Sequence, residues 1–149
     1  MTLKVLAVAS GGGHWEQLLI VSDSFSEHEV HFATTIAGLA EKSGIERVHL
    51  LHDCNRRQPL ATLRSCLDVL RVVLAIKPDV VVSTGAAPGL LALAFGKLRG
   101  ARTIWIDSIA NSEQLSMSGN LARHVADLHL TQWEHLAAQG RPAFMGSVL

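Results

Sequence analysis

The sequence has only two cysteines, Cys54 and Cys66, and no CxxC pair. That excludes a disulfide framework, and reduced thiols in a cytosolic protein are the expectation. Charge is sparse as well. Only 17% of the 149 residues are charged against 48% hydrophobic, a balance that excludes a disordered chain and allows a real core. Neither sign dominates: Lys+Arg and Asp+Glu number 13 each, so nothing pulls the chain as a whole toward nucleic acid. Long apolar runs are missing, since none approaches the ~20 residues of a membrane span. The apolar start, residues 3–9, is short and leads straight into Gly11-Gly12-Gly13. A buried parallel strand feeding a phosphate-type loop explains it better than a signal peptide. The expected protein is soluble and cytoplasmic, or lies on a membrane without crossing it.

What is present is a regular alternation. Residues 1–149 suit one domain. Apolar runs at 3–9, 28–34, 46–51, 79–83, 102–107, 127–131 and 143–145 read as strands. Helical patterns fall at 15–24, 36–43, 59–76, 88–98 and near Asn120. In the longest, Leu60, Leu63, Leu67, Leu70 and Leu74 recur at helical spacing, and Pro78 stops it. The alternation predicts an α/β fold: a Rossmann-like parallel sheet with helices on both faces. Such sheets bind ligands beyond the carboxyl ends of their strands. Three segments occupy such places: Ser10-Gly-Gly-Gly-His14, Ser83-Thr-Gly-Ala-Ala-Pro-Gly89 and Asp107-Ser-Ile-Ala-Asn-Ser-Glu113.

The first loop suits a phosphate or diphosphate. Gly11, Gly12 and Gly13 let a ligand approach the main chain, and the helix behind them offers unpaired N–H groups and a partial positive charge. It is neither a dinucleotide fingerprint, since Glu16 stands where a third glycine belongs, nor a P-loop, since no GK[ST] follows. His14 begins the helix. As a neutral imidazole it can take a proton from an attacking hydroxyl, or it can simply hydrogen-bond the loop. Thr84, Gly85 and Ala86 open a second small-residue loop with Pro88 in the first helical turn, which widens the anion cradle or is an ordinary turn. Asp107 ends a strand at the same edge, where it can orient a sugar hydroxyl, act as a base or cap a turn. No GxSxG surrounds Ser108, so a hydrolase nucleophile is not expected there.

His49, His52 and Cys54 resemble metal ligands only on paper, because 49 and 52 point to opposite faces of a strand; no metal site is expected. His28, His31, His124, His129 and His135 form no ligand-spaced cluster. Arg56, Arg57, Arg64, Arg71 and Lys77 gather around the long helix, with Arg57, Arg64 and Arg71 seven apart on one face. Such a stripe beside an apolar face suits anionic headgroups, although it is more often a solvated side that Asp68 dilutes.

Taken together, Lys4-Val-Leu-Ala-Val-Ala-Ser-Gly-Gly-Gly-His14, Ser83–Gly89 and Trp105-Ile-Asp-Ser-Ile-Ala-Asn111 resemble the bacterial polysaccharide-biosynthesis glycosyltransferase subunits. These are similar to the acceptor subunit of the eukaryotic dolichol-linked N-acetylglucosamine transferase. Leu115–Ala122, Ala126–Trp133 and Met145–Leu149 continue the likeness over essentially the whole chain. The resemblance implies the N-terminal half of a GT-B glycosyltransferase, as in the peptidoglycan enzyme MurG, with the UDP-sugar-binding half on a separate polypeptide. It implies transfer of N-acetylglucosamine, glucuronic acid or a related hexose to a polyprenyl-diphosphate acceptor at the inner membrane surface, with no cofactor. Carried over by position, His14 and Asp107 would be catalytic, and Gly11, Gly12, Gly13, Thr84, Gly85, Ala86 and Ser108 would hold the acceptor diphosphate. This chain departs from the eukaryotic members at Gln17, where they have glutamate, and at Asp107-Ser108 with Asn111, where they have Glu-Ser and arginine. They also carry an N-terminal membrane anchor, absent from these residues, so a peripheral contact is expected. A recruiting adaptor without chemistry, or a stand-alone nucleotide-sugar enzyme, are the other functions the pattern admits.

Overall fold

The computed structural model describes residues 1–54, 57–137 and 141–149. Among these residues, seven parallel strands alternate with helices, and parallel neighbours are joined by crossovers. The strands are β1 (Lys4–Val8), β2 (Glu29–Thr34), β3 (Val48–Leu50), β4 (Val80–Ser83), β5 (Arg102–Ile106), β6 (Leu128–Thr131) and β7 (Ala143–Phe144). The helices are α1 (Gly13–Ser22), α2 (Leu39–Lys42), α3 (Pro59–Ile76), α4 (Ala86–Leu98) and α5 (Met117–Ala122). Single 3-10 turns at Asp23–Phe25 and Glu134–Leu136 complete the chain.

The sheet order is β3-β2-β1-β4-β5-β6-β7. It is a Rossmann-like sheet whose order reverses between β1 and β4, paired from Val5↔Val80 to Val8↔Ser83. That reversal opens a crevice at the carboxyl ends of these two strands. The two-residue period of β1 explains the layers. Leu6 and Val8 join Val69, Val73, Leu93 and Trp105 on the side of α3, α4 and α5. Ala7 and Ala9 meet Trp15, Leu18 and Phe32 on the side of α1 and α2.

The long helix runs from Pro59 to Ile76, as its spacing predicts. Proline suits the first turn, and Lys77 ends the helix in a left-handed conformation, its N–H on the Val73 carbonyl. The orientation is the surprise. The buried stripe is Ser65, Val69, Val73 and Ile76, small and β-branched residues that allow close packing. The leucines face outward: Leu60, Leu63, Leu67 and Leu74 are 73, 55, 43 and 45% exposed. Arg57, Arg64 and Arg71 are exposed as well, and Arg56 lies outside the described residues. Arg71 approaches Asp68, whose carboxylate is held mainly by the backbone and ring of His52.

Candidate functional site

β1 and β4 are neighbours, so the loops that leave them meet. Gly12 precedes α1 with φ 60° and ψ −138°, a conformation that glycine alone adopts without strain. Neither α1 nor α4 has a side-chain cap on its first turn, whereas Ser116 caps α5 by accepting from the Gly119 N–H. The first-turn N–H groups of α1 and α4 thus have no capping side chain among the described residues.

Two reciprocal hydrogen bonds lock the loops together. The His14 ring lies with Nδ1 3.1 Å from the Thr84 carbonyl oxygen, and the Thr84 hydroxyl donates to the His14 carbonyl at 2.6 Å. A carbonyl only accepts, so Nδ1 carries the proton, and in the neutral ring the lone pair is on Nε2. This is the tautomer a general base requires. Gly85 is what makes room: a Cβ there would lie 2.3 Å from His14 Nδ1, and its φ of 149° is in glycine's territory. Ala86 follows at φ 69°, a strained conformation for alanine.

One turn on from His14, Gln17 ties in the third segment. It donates to Ser108 Oγ at 3.1 Å and accepts from the Ile109 N–H at 3.1 Å. All three predicted segments are thus joined by the first turns of α1. Ser108 is buried, and its oxygen also accepts from the Ala110 N–H. Asp107 is 1% exposed, with both carboxylate oxygens occupied. Oδ1 accepts from Trp105 Nε1 at 3.1 Å and Ser116 Oγ at 2.7 Å, and Oδ2 from Asn111 Nδ2 and the Ser116 N–H, each at 3.0 Å. Such an arrangement braces the 107–116 loop and leaves Asp107 no free lone pair for a substrate proton.

The histidines weighed as ligands go to separate partners: His49 stacks on His31 at 5.8 Å, and His52 bonds Asp68. Among the described residues no group of three or more His, Cys, Asp or Glu comes together. A cavity of about 600 Å³ lies at the amino ends of β2 and β3, near His28 and Arg47, and shares no residue with the crevice. Sequence reasoning passed over Gln132 and Trp133. They follow β6 at the same edge as Asp107, and Trp133 Nε1 donates to the Ile109 carbonyl at 2.8 Å. Their position past a strand end is the signal that marks them. His129 was noted only as unclustered; it is buried, neither ring nitrogen has a partner among the described residues, and burial holds its imidazole below the ordinary histidine range.

Among solved structures, the chain superimposes on MurG from Acinetobacter baumannii with a TM-score of 0.78 at 14% identity, over 97% of this chain and 45% of that one. It also superimposes on UDP-N-acetylglucosamine 2-epimerase from Rickettsia bellii, with a TM-score of 0.74 at 20% identity, over 99% and 46%. The chain thus spans under half of each of these, and at such identity the likeness shows the fold alone. In sequence it is 28% identical to the mouse UDP-N-acetylglucosamine transferase subunit ALG14 and 27% identical to the human one, in both cases over 91% of this chain and 77% of the relative. These relatives are animal proteins, where the sequence pattern had suggested bacterial ones. A family profile described as oligosaccharide biosynthesis protein Alg14 like matches residues 22–148, beginning at the last residue of α1. The chain therefore belongs to the Alg14-like family of oligosaccharide-biosynthesis proteins.

Proposed function

We propose that this chain is the acceptor-side subunit of a two-component glycosyltransferase. It moves a sugar from a UDP-sugar to a polyprenyl-diphosphate-linked acceptor in lipid-linked oligosaccharide or polysaccharide synthesis, and a separate subunit binds the donor. N-acetylglucosamine is the favoured sugar, because the relatives are named as UDP-N-acetylglucosamine transferase subunits. The observation that carries the reading is His14, seated between two uncapped helix starts with its Nδ1 proton committed to Thr84.

In this mechanism the acceptor diphosphate sits against the first-turn N–H groups of α1 and α4, beside Gly11, Gly12, Gly13, Thr84, Gly85 and Ala86. An acceptor hydroxyl attacks the anomeric carbon of the UDP-sugar. The new C–O bond forms as the bond to UDP breaks, and the hydroxyl proton passes to His14 Nε2. UDP departs into the donor subunit with the electron pair. Asp107 and Ser108 hold the neighbouring loop rather than the proton. The exposed leucines of α3, with Arg64 and Arg71 alongside, form the face that rests on anionic lipid, where a polyprenyl acceptor resides. No helix among the described residues is long and apolar enough to cross a membrane, so α3 supplies a surface contact. Met145 and Leu149, 75 and 68% exposed, offer apolar side chains to the donor subunit.

The test is transfer from radiolabelled UDP-N-acetylglucosamine to a short-chain polyprenyl-diphosphate sugar. The chain is assayed alone, with its donor subunit, and as His14→Ala with that subunit. Activity is expected only in the pair, reduced by about 10²–10⁴ in the variant. Full transfer by the variant would leave a recruiting adaptor, and activity from the chain alone would end the two-component reading.

A further inference from the structure

Two buried glutamines connect the far end of the chain to the glycine loop. Gln17 and Gln132 are 2 and 4% exposed. All four hydrogen-bonding positions of the Gln17 amide are used: Nε2 donates to the Gly13 carbonyl at 3.0 Å and to Ser108 Oγ, and Oε1 accepts from the Ile109 N–H and from Gln132 Nε2 at 2.5 Å. Gln132 gives its other N–H to the Asp107 carbonyl at 3.0 Å, and its Oε1 accepts from the Val148 N–H at 2.9 Å. A backbone N–H fixes each amide. The Ile109 N–H can only donate, so Gln17 must turn its oxygen toward it, and the Val148 N–H sets Gln132 in the same way. Gln132 must then donate to Gln17. The orientations are coupled: a Gln132 amide turned over would set two carbonyl oxygens against each other, with no proton between them.

We propose that Gln17 and Gln132 are positioning residues through which the segment Met145–Leu149 sets the glycine loop that carries His14. The path is short, running from the Val148 N–H to Gln132, to Gln17, to the Gly13 carbonyl, one residue before His14. The segment is placed to act as its input. Most of its side chains are turned to solvent, and a cavity of about 130 Å³ separates it from Ile106, Leu130 and Thr131. Whatever seats the segment also holds the Val148 N–H against Gln132. The benefit to catalysis rests on the reading of His14 as base, whereas the structural coupling does not.

Backbone amide NMR of the whole chain tests the coupling without donor, acceptor or partner. Val148→Pro deletes the N–H, and Val148→Ala keeps it. Val148→Pro is expected to move the signals of Gly13, His14, Ser108 and Ile109 as well as the Gln132 side-chain amide, and Val148→Ala only those of its chain neighbours. Gln132→Leu should move the same glycine-loop signals, and adding Val148→Pro to it should move them little further. Wild-type positions for Gly13 and His14 in folded Val148→Pro would overturn the proposal, as would equal effects of the proline and alanine variants. With the donor subunit present, Gln132→Leu, which leaves the exposed Met145 and Leu149 side chains unaltered, should lower kcat about tenfold or more with KM for the UDP-sugar unchanged, because the base is displaced while the donor site is untouched. An inactive pair with the NMR coupling intact would count against the function and not against the relay.

Discussion

The contact between Gly85 and the His14 ring lends itself to a quantitative test. In Gly85→Ala the new Cβ would stand 2.3 Å from Nδ1 and 2.5 Å from Cε1, well inside van der Waals contact. Two costs arise separately. The backbone at φ 149°, ψ 177° lies in a region that essentially only glycine populates, which costs alanine about 1–3 kcal/mol. Overpacking against the ring costs about 1–3 kcal/mol more. A loss of roughly 2–6 kcal/mol lowers Tm by about 4–24 °C for a chain of this size. Removing the ring separates the two. In a His14→Ala background the clash is gone and only the backbone cost remains, so a double-mutant cycle should give a coupling of about 1–3 kcal/mol. Thermal and urea unfolding supply the four stabilities, and ¹⁵N shifts of the His14 ring report whether Nδ1 keeps its proton in wild type. If Gly85→Ala costs the same with and without the ring, the packing of His14 on Gly85 is refuted, and with it the seating of the proposed base.

Two further outcomes follow from the same network and its surroundings. Asp107→Asn presents an NH₂ group to hydrogen-bond donors, Trp105 and Ser116 or Asn111 and Ser116, and should cost about 1–3 kcal/mol in urea melts; transfer by the pair should fall far less than in His14→Ala, and an equal loss would return Asp107 to the role of base. His129 is kept low by burial, with Arg141 and Arg123 adding to the effect and the Asp107 charge opposing it. The unfolded chain then binds the extra proton first, so this histidine's contribution to stability is complete above pH ~6.5 and is lost as pH falls toward its lower folded value; His129→Leu should flatten that acid slope, and an unchanged slope in urea melts from pH 7.5 to 5.5 would contradict it.

Much of this architecture could be read from the residues alone. Prolines at 59 and 78 bracket α3, and the glycines at 11–13 and 85 mark the two turns that the switch point brings together. The facing of α3 was not legible. Its leucines and its Ser65-Val69-Val73-Ile76 stripe share the same helical period, and only the packed structure shows that the smaller side chains face the sheet. The glutamines were hidden for another reason. Their partners are 91 and 115 residues away, and a polar side chain gives no local sign that it will be buried and fully paired. Asp107 was legible as a carboxylate at the right edge, but three of its four donors come from Asn111 and Ser116 in the loop that follows it, which no spacing rule specifies.

The outward leucines of α3 also govern how the isolated protein behaves in bulk solution. Four apolar side chains in a row make an adhesive stripe, and the chain has equal numbers of acidic and basic residues with a pI near 7.1. Colloids without net charge meet unopposed, so copies brought together at neutral pH have nothing to hold these stripes apart. Self-association in neutral buffer is therefore the expected consequence of this surface rather than of misfolding, and moving the buffer away from pH 7 or masking the stripe with mild detergent should keep a preparation monodisperse.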